Sequence, residues 1–109
     1  MNRNRVSIVN EGERIIVYLS GEIDHYTASI IRGEIDSAIH GSAPSLLVLD
    51  FEKVSFMDSA GIGLIIGRIN EMKRVNSVND DNVIITNTNG IIESLISLAG
   101  LSRLISKIN

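Results

Sequence analysis

At 109 residues, 44% of them hydrophobic and 21% charged, the chain is expected to form one domain, 1–109, whose core needs no metal or disulfide support. The absence of cysteine excludes a disulfide scaffold, a thiol nucleophile and a cysteine-ligated metal site. A formal charge of −3 gives no general attraction to nucleic acid, and no apolar run approaches the roughly 20 residues of a membrane span.

Met1-Asn2-Arg3-Asn4-Arg5 runs into a strand pattern without a signal-peptide core, so a cytoplasmic protein is expected. Val6 and Ile8, then Ile15-Ile16-Val17-Tyr18-Leu19, read as two strands joined by a hairpin at Asn10-Glu11-Gly12-Glu13. Ser20-Gly21-Glu22-Ile23-Asp24 is expected to leave the sheet, with Asp24 capping a first helix that runs to about His40. Ala28, Ile31, Ile35, Ala38 and Ile39 recur at helical spacing as its buried stripe. Gly41 stands where a left-handed terminating residue is expected, Pro44 follows, and His40 in the last turn suits the helix dipole. Residues 46–51 read as one short, mainly aliphatic run, which predicts a strand covered on both faces. Strand, helix, strand in that order implies a right-handed parallel crossover.

A second helix opens at Val54-Ser55-Phe56-Met57-Asp58-Ser59-Ala60-Gly61-Ile62-Gly63-Leu64, with Ile62, Ile65, Ile66, Ile69 and Met72 as its expected buried stripe. Asp58 and Ser59 are both favoured capping types, and the helix start carries a partial positive charge. Gly61, Gly63 and Gly67 let the backbone lie close to a sheet beneath or a partner above. Asn79-Asp80-Asp81-Asn82 reads as a loop and Val83-Ile84-Ile85-Thr86 as a further strand. A short third helix starts at Asn87-Thr88-Asn89-Gly90, carries apolar Ile91, Ile92, Leu95 and Leu98, and stops at Gly100; Leu104-Ile105 is expected to add an edge strand. The fold class is therefore α/β: a small mixed sheet with helices packed mainly on one face.

Phe56-Met57-Asp58-Ser59-Ala60-Gly61-Ile62-Gly63 resembles the signature of STAS domains, specifically of bacterial anti-sigma factor antagonists. Leu19-Ser20-Gly21-Glu22-Ile23-Asp24-His25, Gly67-Arg68 and Ser97-Leu98-Ala99-Gly100-Leu101 match further segments, so the resemblance covers nearly the whole chain. It is strongest to the sporulation type of Bacillus and Clostridium. Two departures stand out: the loop before Val83 is longer than usual and lacks glycine, and the sequence stops at Asn109, where relatives often add a helix.

The resemblance implies that Ser59 is phosphorylated by an anti-sigma factor that is itself a serine kinase, and dephosphorylated by a PP2C-type phosphatase. The unphosphorylated form would bind the kinase and release a sigma factor. The implied partner-binding set is Asp24, His25, Asp58, Ser59, Ala60, Gly61, Gly63, Leu64 and Arg68. Within it Asp58 either caps the helix or orients the Ser59 hydroxyl. Leu64 is expected as an exposed apolar contact and Arg68 as a surface cation facing a partner carboxylate. The nucleotide would belong to the partner, so no cofactor or metal is assigned, and a monomer is expected.

Other readings compete. Ser59 alone is equally a plain capping serine. A hydrolase would need a general base and an oxyanion hole; only His25 and His40 are available and no Gly-x-Ser-x-Gly elbow is present, so no enzyme is expected. The glycines lack the Gly-Lys-Ser/Thr ending of a P-loop, which favours close packing over a nucleotide loop. A stressosome or sensory STAS module, or a STAS domain holding a nucleotide or anion at the Ser59 helix start, are the alternatives.

Overall fold

The first two strands, β1 (Val6–Glu11) and β2 (Arg14–Ile23), pair antiparallel through a two-residue turn. Gly12 takes φ 73° there while Glu13 keeps a negative φ, the pattern of a type II′ hairpin, which suits the twist of the strands it joins. Helix α1 (His25–Ser42), strand β3 (Leu46–Met57), helix α2 (Ser59–Asn76), strand β4 (Val83–Thr86) and helix α3 (Gly90–Leu98) follow, then a 3-10 turn (Ser102–Leu104). This computed structural model describes residues 5–106; Met1-Asn2-Arg3-Asn4 and the chain end at Asn109 lie outside the described residues.

The sheet order is β1-β2-β3-β4, with β2, β3 and β4 parallel. Ile15, Val17 and Leu19 of β2, Leu47, Leu49 and Phe51 of β3, and Val83 and Ile85 of β4 alternate into one core with Ile31, Ile35 and Ile39 of α1 and Ile65, Ile69 and Met72 of α2. The helices thus cover one face, as expected. The opposite face carries half-buried Ile16, Val48 and Ile84 beside exposed Val9 and Tyr18. Residues 46–51 are therefore buried by alternation on one face, not on both; half-buried Leu46 and Val48, apolar like their core-facing neighbours, hid the open face, and Asp50 was the one residue that marked it.

Two strand ends differ from expectation in a way that builds the site. β2 does not leave the sheet at Ser20 but continues to Ile23, and β3 continues past Phe51 to Met57. The register shifts between Tyr18 and Ser20 and between Gly21 and Glu22, with Gly21 at φ 79°. Such bulges bend a strand while keeping it paired. Pairing resumes at Glu22↔Phe56 and Ile23↔Met57, and the Asp58 N–H donates to the Ile23 carbonyl (3.1 Å). The next residue on each strand, Asp24 and Asp58, caps a helix, so α1 and α2 start side by side at the carboxyl end of the parallel strands.

Helix α1 runs two residues past His40, and Ala43 (φ 46°), not Gly41, is the left-handed residue; Gly41 is helical. Leu104 lies in the 3-10 turn, and the expected edge strand reduces to one parallel bridge, Ile85↔Ile105. On α2 the buried set is Gly61, Leu64, Ile65, Arg68, Ile69 and Met72, one position round from the expected stripe. Ile62 is half-buried and Ile66 is 43% exposed. The helix packs on α1 as well as on the sheet, so it buries two adjacent ridges and turns Ile62 and Ile66 away.

Candidate functional site

Both helix starts are tightly capped. The Thr27 N–H donates to Asp24 Oδ1 (2.9 Å), the Asp24 N–H donates to Thr27 Oγ1 (2.8 Å), and the Thr27 hydroxyl donates to the Glu22 carbonyl (2.9 Å). This reciprocal capping box fixes where α1 begins. The Thr27 backbone N–H, then its side chain, hold the Asp24 carboxyl below its ordinary range. At α2 the Ala60 N–H donates to Asp58 Oδ1 (2.8 Å). Asp58 is thus the cap, and among the described residues no hydrogen bond links it to the Ser59 hydroxyl.

Ser59 is the first helical residue and is exposed, and among the described residues its hydroxyl has no hydrogen-bond partner. It stands at the positive end of the helix dipole, beside the equivalent end of α1. Between the two helices lies an open groove of about 390 Å³. Helix α1 lines it with His25, Ala28, Ser29 and Arg32, and α2 with Ala60, Gly63 and Leu64.

Asp24, His25, Asp58, Ser59, Ala60 and Gly63 therefore gather at one end of the molecule. Three expected site residues behave differently. A Cβ on Gly61 would sit 2.6 Å from Met57 Sδ, so Gly61 packs on the sheet beneath, whereas a Cβ on Gly63 or Gly67 would meet nothing within 4 Å. Close packing within the fold thus explains only the first of these glycines. Leu64, expected to be exposed, is 4% exposed and forms groove floor. Arg68, expected at the surface, is 5% exposed and lies beside Asp36 of α1, Nε to Oδ1 2.9 Å. The N–H does not point along that line and among the described residues Nη1 has no hydrogen-bond partner, so charge rather than aligned hydrogen bonding holds the pair. Burial pushes the Arg68 guanidinium down from its ordinary value, and Asp36 opposes this.

Sequence reasoning missed Ala28, Ser29 and Arg32, although with His25 they fall at i, i+3, i+4, i+7 on one face of α1. It also missed a cluster far from Ser59, where Glu71 of α2 meets both His40 of α1 and Arg74. Hydrogen bonds from Arg74, then His40, pull the Glu71 carboxyl down to about 2. Fifteen residues of helix, roughly 22 Å, separate His40 from His25, so His40 is no base for Ser59. Among the described residues no cluster of His, Cys, Asp and Glu could hold a metal ion, and no helix is long and apolar enough to cross a membrane.

The family profile of the STAS domain matches residues 5–109. The anti-sigma F factor antagonist of Paenibacillus polymyxa is 33% identical over 90 residues, 83% of this chain and 74% of that protein. The protein of the same name from Lysinibacillus sphaericus is 38% identical over 63 residues, 58% of this chain but only 54% of its own length. The fold is similar to the solved structure of the anti-sigma factor antagonist SpoIIAA in its unphosphorylated form, with TM-score 0.81, 28% identity, and coverage of 95% of this chain and 88% of that one. It is also similar to SpoIIAA, described as a Bacillus cell fate determinant, in the phosphorylated form, with TM-score 0.73, 28% identity, and coverage of 95% and 91%. The chain belongs to the STAS domain family and is related to the anti-sigma F factor antagonists.

Proposed function

We propose that this chain is an anti-sigma factor antagonist switched at Ser59. Unphosphorylated, it binds a cytoplasmic anti-sigma factor serine kinase and displaces a sigma factor of the sporulation type. Phosphorylated on Ser59, it does not bind, and a PP2C-type phosphatase restores it. The chain acts as a binding module, and the nucleotide belongs to the kinase.

The observation that carries this reading is the exposed Ser59 hydroxyl, without a partner among the described residues, at the capped start of α2 and beside the start of α1. A phosphate there adds roughly −1.5 to −2 charges, and the helix dipole and unpaired N–H groups favour it locally, so the fold should persist. Similarity to SpoIIAA in both its unphosphorylated and phosphorylated forms supports that expectation. The charge acts instead on the docked partner. Each unit of that charge, about 5 Å from an acidic group at an effective dielectric near 20, opposes binding by on the order of 3 kcal/mol, roughly a 100-fold loss. Asp24, His25, Asp58, Ser59, Ala60 and Gly63 form the contact surface; Gly61, Leu64 and Arg68 shape it from beneath.

The test is calorimetry with the purified anti-sigma F kinase from the same organism. Wild type and Ser59→Ala should bind alike and Ser59→Asp should bind weakly or not at all. Equal affinity for all three would reject the switch.

A further inference from the structure

The groove beside Ser59 has a definite sign. Arg32 projects into it, and among the described residues no carboxylate lies within ion-pair distance of that guanidinium. Arg32 also repels Arg68 across the seam, where Asp36 already serves Arg68. His25 and Ser29 add side-chain donors to the same wall. The first turns of α1 and α2 open onto the groove with their partial positive charge. The acids at the two helix starts, Asp24 and Asp58, are each engaged with a backbone N–H of their own helix, and Asp36, one turn beyond Arg32, is paired with Arg68. Ala28, Ala60 and Leu64 give the floor an apolar character that lowers screening.

We propose that this groove receives a carboxylate side chain, Asp or Glu, of the anti-sigma factor, with Arg32 as its counter-ion. The inference rests on the docking reading above and supplies what that reading leaves open, the sign of the partner's charge next to Ser59. It also explains why a phosphate would dislodge the partner: the modified serine repels that acid and competes with it for Arg32 and His25. Two anions cannot share one guanidinium without loss. The same groove would not welcome a lysine or arginine, because among the described residues Arg32 has no paired acid to offset a second cation.

The experiment measures binding of the purified anti-sigma F kinase to wild type, Arg32→Ala, Arg32→Lys and Arg32→Glu, at 50 mM and 500 mM salt. Arg32→Ala should weaken binding about 10-fold and Arg32→Glu about 100-fold, with Arg32→Lys close to wild type. These gaps should shrink at high salt. Thermal midpoints of Arg32→Ala and Arg32→Lys should stay close to wild type, since among the described residues Arg32 makes no ion pair. If wild type binds and Arg32→Glu binds equally or more tightly, the groove does not take an acid and the inference falls while the docking reading stands. If wild type itself does not bind, the docking reading fails first and this inference with it.

Discussion

Replacing Gly67 by alanine should stabilise the fold and replacing Gly61 should not, though both lie in α2 six residues apart. At Gly67 the added Cβ meets nothing within 4 Å, so the variant collects only the helix-propensity gain, about 1 kcal/mol. With an unfolding entropy of about 2.1 cal/mol/K per residue over 109 residues, near 0.23 kcal/mol/K, this raises the midpoint by about 4 °C. At Gly61 the same methyl would sit 2.6 Å from Met57 Sδ and 3.1 Å from its Cβ and Cγ. Met57 is itself buried at the end of β3, and its Cβ cannot swing aside as its sulfur can. Overpacking of this kind costs about 1–3 kcal/mol, which cancels or exceeds the propensity gain. The two variants should therefore differ by about 1–3 kcal/mol, with Gly61→Ala the less stable. Urea and thermal unfolding followed by circular dichroism read this directly, provided the m-value is constant. Gly61→Ala equal to or more stable than Gly67→Ala would refute the claim that only Gly61 is required by packing.

Removing Asp36 should leave the Arg68 guanidinium buried and unpaired. Asp36→Ala is expected to lose about 3 kcal/mol in urea unfolding, whereas the double variant Asp36→Leu/Arg68→Met should recover most of it, because a poorly aligned buried pair adds little over an apolar one. The Glu71 carboxyl is held near 2 against an ordinary 4.5, so its contribution is full above about pH 4.5 and is lost as pH falls toward 2. Glu71→Gln should accordingly be less stable than wild type at pH 6, by less than about 1 kcal/mol since the cluster faces solvent, and indistinguishable near pH 2. A gap that persists at pH 2 would show that the carboxylate charge is not the cause.

The elements legible in the sequence were those with a local signal. Asp24 capping α1, the start of α3 within Asn87-Thr88-Asn89-Gly90 and the apolar periodicity of α1 all depend on residues within a turn or two of one another. What failed was set by distant neighbours. Arg68 reads as a surface cation because nothing near it in sequence marks it otherwise; its burial follows from Asp36, on another helix. Packing of α2 against α1 as well as the sheet likewise takes Leu64 inside. Ser20-Gly21-Glu22 looked like an exit from the sheet, since a bulge and a loop draw on the same residue types; only pairing with the far end of β3 distinguishes them. That pairing places Asp24 beside Asp58, so the site was legible as two caps and not as one groove with Arg32 in its wall.

Incubation with the cognate kinase and ATP, followed by peptide mapping by mass spectrometry, bears most directly on the account. It predicts a single phosphate, on the peptide bearing Ser59 and at that hydroxyl. A phosphate on Ser55, Ser29 or any other residue, with Ser59 unmodified, would contradict it.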